Sequence, residues 1–436
     1  MLNLPFLQKS NPLGFLTKSA RDTQGGKFLT VDISSSAVKV VAFFLEELEG
    51  SPPKIKVIGV GKGALLPNAV RGGVIVDRDY VEEALDQAIG QALEYSEEDI
   101  DQVIFGVIGD LSYEFMTTAR LIRAKGHAQT TPSPYPEAGA PNITQEEIDA
   151  VYQRVVATAH DQVSTEVLNT TGSTDLDTEL MTASIIHTKI DGKVISANAD
   201  PTHYVGREVE MAIFTSFCPT HHVESLKKIA KRLRLKIIAI GSEMYTLTRN
   251  INKAKETGLM TGIDATLISI ESDTTTVGVV FGGGVVASKN LHIGNDHFIA
   301  EISYKMGLTP SEARKMKDSY CAGKLAPSEA TVVNNCISDT IELWLSGLEV
   351  VFEEFTGVKT FAPTIYLTGE GAKIPDVAQA LKENPWTRSI AFKAPPEVTV
   401  VSFKDFEHIY DLTGKISDLE YMMPAALSDV YLEMTE

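Results

Sequence analysis

Cysteine is scarce in this chain of 436 residues: Cys218, Cys321 and Cys336 are all there are. Three thiols, odd in number and far apart, exclude a disulfide-stapled scaffold and lack the paired spacing of a zinc site, which reads as a reduced, cytosolic chain. His221 and His222 follow Cys218 closely, but Pro219 and Thr220 mark a turn and no further ligands stand nearby. Positive charge is also short, with 39 Lys and Arg against 58 Asp and Glu and a formal net charge of -19. Phosphate backbones would be repelled, so nucleic acid is not an expected partner. No apolar run reaches about 18 residues, so no segment is expected to span a membrane. The first residues lack a cationic start, a continuous apolar core and a small-residue cleavage site, and are not read as a secretion signal. What remains is ordinary globular material, 43% hydrophobic and 22% charged, on a chain long enough for more than one compact unit.

Residues 1–26 read as a tail. Pro5 and Pro12 prevent one continuous helix, and Gly25-Gly26 marks a hinge. Leu2, Leu4, Phe6, Leu7, Leu13, Phe15 and Leu16, with Lys9, Lys18 and Arg21, make it a candidate anchor for a membrane surface or partner groove, against the plainer reading of a disordered terminus. From Lys27 the sequence predicts strand, polar turn, strand: apolar β-branched runs flank Ser34-Ser35-Ser36. A third strand follows near Lys56–Gly61, then a helix over Asp79–Tyr95 and a strand over Gln102–Gly109. Ala124–Pro141, rich in Pro and Gly, reads as a flexible insertion. Thr144 and Glu147 form a capping box opening a helix to about Ala159. Strands are expected at Met181–Ile190, Glu208–Phe217 and Leu235–Ile240, with a basic-faced helix over His222–Leu233.

Near Ala265 the cycle starts again with strand, polar turn, strand and a glycine hairpin. A long helix from Val332 to about Phe355 carries Ile337, Ile341, Trp344, Leu348 and Val351 at helical spacing, and a strand, glycine turn and helix follow it. One architectural cycle occurring twice predicts a duplicated, two-lobed α/β protein.

Three segments carry the candidate chemistry: Asp32-Ile33-Ser34-Ser35-Ser36, then Ser269 through Thr276, then Leu367-Thr368-Gly369-Glu370-Gly371-Ala372. Polar hairpins offer N–H and hydroxyl groups to phosphate oxygens. A carboxylate at a hairpin start can hold hydrated magnesium. A glycine pair at a strand-to-helix turn lets backbone approach a base or ribose closely. Each piece alone is most often just a turn; their order and spacing make the joint case.

In that order the chain resembles the actin and heat-shock-chaperone ATPase superfamily and, within it, FtsA, a bacterial division protein. VDISSSAVKVV resembles the first phosphate hairpin, RGGVIVD and IGNDHFIAEISYKMGLTPSEARKMK resemble FtsA stretches, and LTGEGAKIPDV resembles the adenosine loop. The resemblance runs from about Lys27 to Leu432. It implies a two-lobed actin-like fold of duplicated ribonuclease-H-like domains with an FtsA-type inserted subdomain. The implied boundaries are 27–114 and 206–264 for the first lobe, 115–205 for the insertion, 265–410 for the second lobe, and 411–436 returning to the first.

The resemblance implies ATP and Mg2+ between the lobes. Asp32 would hold the metal through water; Ser34, Ser35, Ser36, Lys39, Thr274 and Thr275 would meet phosphates. Gly369, Glu370, Gly371 and Ala372 would flank adenosine and Lys317 the base, although Arg314 stands where an acid is usual. The second hairpin departs from the family pattern. Ser269 replaces its aspartate, Glu271, Ser272 and Asp273 fill glycine positions, and Thr276 replaces a second acid. Glu271 and Asp273 then either take over the metal, as weak catalytic candidates, or make nucleotide binding weak and hydrolysis slow or absent; the second is preferred, leaving at most a slow ATPase.

The expected function is an FtsA-like scaffold of cell division at the inner face of the membrane. Its partners would be copies of itself, a tubulin-like division protein or inner-membrane components. The last segment, YMMPAALSDVYLEMTE, has no Lys or Arg, so it is read as packed helix rather than as a membrane-binding one. That departure brings in PilM, the actin-like adaptor of type IV pilus assembly, as the alternative. A sugar or acetate kinase is a third reading, disfavoured by the altered second hairpin and the lack of an obvious base.

Overall fold

The computed structural model describes residues 26–47, 53–94, 96, 99–123, 142–172, 177–195, 199–255, 262–383, 385–416 and 419–435. The tail before Gly26 and the insertion Ala124–Pro141 lie outside them.

The first sheet grows from β1 (Lys27–Ile33), β2 (Ala37–Glu46) and β3 (Lys54–Ala64). Both faces are covered, so the strands are apolar almost throughout. Leu29, Val31, Val38, Val40 and Ala42 point into one core, while Phe28, Val41, Phe43 and Leu45 point into another. A short ribbon, β4 (Val70–Arg71) with β5 (Val74–Ile75), precedes helix α1 (Arg78–Ala92), and β6 (Gln102–Val107) returns to the sheet beside β1.

Helix α1 lies directly on β3. Gly59, Gly61 and Gly63 repeat every second residue and meet Ala92, Ala88 and Ala84, which repeat every fourth; a Cβ on each glycine would sit 1.8–1.9 Å from the facing alanine carbonyl oxygen. Backbone rests on backbone along the whole contact.

An inserted layer comes next: β7 (Tyr113–Ile122), α2 (Gln145–Thr171), β8 (Thr178–Ile190), β9 (Lys193–Val194) and β10 (Glu208–Pro219), with sheet order β7-β10-β8-β9. The expected capping box at Thr144 and Glu147 is present. The helix does not stop near Ala159, however. Ile148, Val151, Val155, Ala159, Val163 and Val167 carry its buried stripe onward onto Phe217, and left-handed Gly172 ends it. Strand β10 pairs with both β7 and β8, so the inserted sheet reaches Pro219, beyond the expected boundary at 205.

Helix α3 (Thr220–Arg232), β11 (Lys236–Ser242) and α4 (Glu243–Lys255) complete the first lobe. The second contains β12 (Ala265–Ile270), β13 (Thr275–Phe281), β14 (Gly284–Leu291), α5 (Asn295–Met306), α6 (Pro310–Cys321), α7 (Pro327–Glu353), β15 (Thr364–Thr368), α8 (Pro375–Glu383) and β16 (Glu397–Val400). Its long helix α7 buries Ile337, Ile341, Trp344, Leu348 and Val351, the stripe expected from the spacing. Strand β17 (Ile409–Asp411) pairs with β3, so the chain rejoins the first sheet just before the expected 411. Helices α9 (Met422–Ala426) and α10 (Ser428–Thr435) then pack beneath that sheet, where Thr30 donates to the Pro424 carbonyl at 2.6 Å.

The two main sheets share one topology. The first runs β3-β2-β1-β6-β11 with β17 added at the β3 edge, and the second runs β14-β13-β12-β15-β16. In both, three antiparallel strands are followed by two parallel ones. Asp32 opposite Lys39 in the first hairpin corresponds to Ser269 opposite Thr276 in the second.

The α1–β3 contact generates a two-sided prediction. Gly61→Ala forces the helix off the sheet and should cost about 3 kcal/mol or more. Gly90→Ala, on the same helix with nothing near its Cβ position, should stabilise by about 1 kcal/mol. Urea denaturation of both variants checks the pair; equal effects would refute backbone-on-backbone packing.

Candidate functional site

Both hairpins and the loop after β15 meet at the seam between the lobes. Asp32 and Lys39 face each other across the first hairpin, and the Lys39 ammonium lies 3.4 Å from Asp32 Oδ2. The same ammonium lies 3.4 Å from Glu370 Oε1, which the second lobe supplies. Glu271, with Ser269 donating to its Oε1 at 2.8 Å, belongs to the same cluster. All four charged side chains are buried.

The hairpins also touch directly. Ser36 Oγ and Ser272 Oγ are 2.7 Å apart, and the Gly72 N–H donates to Asp273 Oδ2 at 2.8 Å. The first N–H groups of α5 are capped by the second hairpin: Asn295 and Asp296 donate to the carbonyls of Glu271 and Ser272, each at 2.7 Å.

A fifth charged group escaped the sequence reading. Glu243 opens α4 immediately after β11, is buried, and lies against Gly106 of β6, where a Cβ would come within 2.2 Å of its Oε1. Its Oε2 has no hydrogen-bond partner. The signal available was a glutamate at a strand-to-helix junction in Gly241-Ser242-Glu243, which without the fold is only a good helix start.

The electrostatics follow from burial. Loss of water pushes the Asp32 carboxyl up, although Lys39 opposes it. Glu243 goes well above the carboxylate range through burial, with Asp32 and Glu271 adding repulsion. Glu271 is pushed up to about 7 by burial, against the pull of Lys39. Glu370 moves the other way: burial is outweighed by Lys39, Lys62, Lys317 and Arg314, and it falls to about 2. Lys39 loses water too, but Asp32, Glu370 and Glu271 hold its proton firmly.

Most of the nominated residues lie at the seam, and many of their polar groups are engaged within the protein, while Ser35 Oγ is buried without a hydrogen-bond partner. Ser34 accepts from the Ala37 N–H at 3.3 Å and donates to the Ala37 carbonyl at 2.9 Å, closing its own turn. Thr275 points into the second lobe, donating to the Ile293 carbonyl at 2.6 Å and accepting from Trp344 Nε1 at 3.0 Å, so it does not face the seam as expected. Thr274 is buried, and its carbonyl accepts from the Glu271 N–H. Lys317 donates to Asn295 Oδ1 at 2.7 Å, and Arg314 bridges Asp296 and Glu370. A Cβ on Gly369 would strike the Ile270 carbonyl oxygen at 2.4 Å, and one on Gly371 the Ile270 Cγ2 at 2.3 Å. These glycines fit the loop, with buried Ala372, against β12.

As the seam stands, ATP with Mg2+ would enter only if these contacts part. A phosphate oxygen bridging two hydroxyls needs them roughly 5 Å apart, two hydrogen-bond lengths, and Ser36 and Ser272 are already bonded to each other. An added anionic charge about 4 Å from an ionised carboxylate would be repelled by about 4 kcal/mol at the dielectric of a protein surface, and Glu370 is the seam carboxylate held ionised, with Lys39 already engaged by it and by Asp32. Among the described residues no group of three or more His, Cys, Asp and Glu is placed to hold a metal ion; Asp32, nominated to hold a hydrated ion through water, lies 3.4 Å from the Lys39 ammonium. A cavity of about 440 Å3 does open at the seam, lined by Asn68, Arg71, Gly72, Val74, Asp110, Asp273, His292 and His297. Asp273 alone of the nominated residues lines it.

No family model and no curated protein matches this chain in sequence. Solved structures match it in fold. A chain of the PilM-PilN type IV pilus biogenesis complex aligns with a TM-score of 0.60 at 12% identity, covering 94% of this chain and 98% of that one. Ethanolamine utilization protein EutJ from Carboxydothermus hydrogenoformans aligns at 0.43 and 11% identity, over 92% and 89%. MreB 5 of Spiroplasma citri bound to AMPPNP aligns at 0.42 and 11%, over 94% and 97%. With the duplicated sheet topology, the fold is the two-lobed actin-like one.

The cluster makes stability pH-dependent with a definite sign. Glu271 takes up its proton near pH 7 when folded, against an ordinary value of 4.5. Across that window the folded state holds more protons than the unfolded one, so stability falls as pH rises through it. Relative to Glu271→Gln, the wild-type chain should lose roughly 3 kcal/mol over the window. Urea titrations across it check this; a difference that is flat or grows with pH refutes the placement of Glu271.

Proposed function

We propose that the chain is an actin-like adaptor of the PilM type, which holds a short segment of an inner-membrane protein and works through protein contacts rather than nucleotide turnover. The observation that carries this is the edge of the inserted sheet. From Thr178 to His187, among the described residues, β8 is strand-paired to β10 alone, because β9 covers only Lys189 and Ile190. Leu180 and Ile185 on that stretch are exposed. An open edge with apolar side chains suits strand addition by an extended peptide. The likeness to a chain of the PilM-PilN complex over nearly both full lengths supports the same reading. No helix among the described residues is long and apolar enough to cross a membrane, so on this reading the partner holds the chain at the inner membrane face.

The FtsA-like reading is a division scaffold meeting copies of itself or a tubulin-like protein; its support is the sequence resemblance around RGGVIVD. In either reading ATP and Mg2+ are ligands of an opened cleft only, held weakly and hydrolysed slowly or not at all. The kinase reading lacks support in the seam, where the carboxylates face Lys39 rather than a substrate pocket.

Affinity purification of the cross-linked, tagged chain from its own cells tests the proposal. Wild type should recover an inner-membrane pilus-assembly protein, and a Leu180→Lys, Ile185→Lys variant should recover at least about tenfold less, the loss expected when even one of its two anchor contacts matters. Recovery of a tubulin-like division protein instead would transfer the assignment to the FtsA-like reading. Undiminished recovery by the variant would remove the binding site from β8.

A further inference from the structure

We propose that the seam between the lobes is an intramolecular clamp: the Lys39 ammonium bridges Asp32 of its own hairpin to Glu370 of the opposite lobe and holds the two lobes closed without nucleotide. This inference is independent of which partner β8 takes.

The charges come from both sides. Lys39 and Asp32 belong to the first lobe, and Glu370 and Glu271 to the second. Asp32 Oδ2 and Glu370 Oε1 have no hydrogen-bond partner, and each lies 3.4 Å from the Lys39 nitrogen. The ammonium is thus the feature that reconciles them. Two hydrogen bonds also cross the seam: Ser36 with Ser272, and the Gly72 N–H to the Asp273 carboxylate. Opening the lobes would break all three links together.

The sequence differences converge on the same point. Glu271 stands at a glycine position of the second hairpin, and Glu370 lies between Gly369 and Gly371 in the loop after β15. These acids come from segments about a hundred residues apart, yet both act on one lysine. Within the second lobe Ser269 donates to Glu271 Oε1, and Asn295 and Arg314 reach Glu370 Oε2; Glu370 Oε1 is the oxygen left for Lys39 across the seam. Facing Lys39, the two acids supply the counter-charge that a bound triphosphate would otherwise bring to a lysine here.

A purely structural ion pair and a clamp differ in what happens on opening. A structural pair stays together within one lobe. Lys39 would keep Asp32 and lose Glu370, so closure is coupled to an interaction made only in the closed state. Entry of magnesium and triphosphate into the seam would compete with that interaction.

Hydrogen exchange on the full chain, with Mg-ATP as the probe, tests the clamp. Amides of residues 34–37 and 271–274 should be protected in the wild type, and protection should not change with about 1 mM Mg-ATP, the affinity of a marginal ligand. Lys39→Met and Glu370→Gln should each speed exchange of both hairpins roughly tenfold or more. Lys56→Met, which removes a partly exposed pair with Glu46 on the same sheet, should leave them unchanged. Wild-type hairpins that exchange as freely as the variants would overturn the clamp, as would strong added protection by Mg-ATP. Should both variants fail to fold by circular dichroism, the wild-type comparison decides alone: protected and unresponsive supports the clamp, and any other result rejects it.

Discussion

A buried ammonium must find carboxylates, and the meeting of Lys39 with Asp32 and Glu370 is the constraint around which the rest of this molecule is arranged. Removing such groups from water costs several kcal/mol each. Each 3.4 Å pair returns gross attraction of about 5 kcal/mol at an effective dielectric of 20. Cost and gain are of similar size, so the cluster contributes little net stability and much positional information. It is satisfied only when the first hairpin, the second hairpin and the loop after β15 arrive at one place.

The duplicated topology brings them there. In each sheet the first strand is flanked by an antiparallel and a parallel neighbour, so the tip of its hairpin and the end of the parallel strand lie at the same edge. Two such edges face each other across the seam. Below them the lobes share apolar contacts: Met244 and Tyr245 of α4 lie in one core with Leu267 of β12 and Tyr366 of β15. The base of the molecule is thus held by apolar burial, while the seam above it is held by polar contacts between hairpin tips. Apolar burial of this kind tolerates little sliding, whereas polar tips can part into water. The division of labour assigns any movement to the seam.

Local features were legible in the sequence because local physics fixes them. The serine-turned hairpins, the capping box at Thr144, the Trp344 stripe and the repeat of the whole cycle all depend on residues within one turn or one strand of each other. What escaped depends on distance in the chain. The length of α2 depends on Phe217, which offers a surface for Val163 and Val167. The edge position of β17 depends on a β3 strand laid down some 350 residues earlier. Thr275 looked like a phosphate ligand because its hairpin does. Strand alternation turns its hydroxyl inward, onto Trp344. The glycines of β3 and the alanines of α1 played no part in the sequence reading, and only the fold shows that they interlock. Glu243 was hidden because a glutamate at a helix start is common, and its burial against Gly106 is decided by a sheet that local patterns do not place.

The acids also show why the same residues can carry two opposite expectations. Read along the chain, Glu271 departs from a hairpin that resembles a phosphate loop, and Glu370 sits in a loop expected to flank adenosine. Read in space, they are a counter-charge for Lys39, and Glu370 is strongly acidic because four cations surround it. A lysine held in this way is no longer free to neutralise a ligand, since any incoming anion must compete with carboxylates already in place and already desolvated. In the proposed clamp, competition with an incoming anion and closure of the lobes are therefore one physical effect rather than two. A protein that acts by presenting a fixed surface to a partner needs only the second.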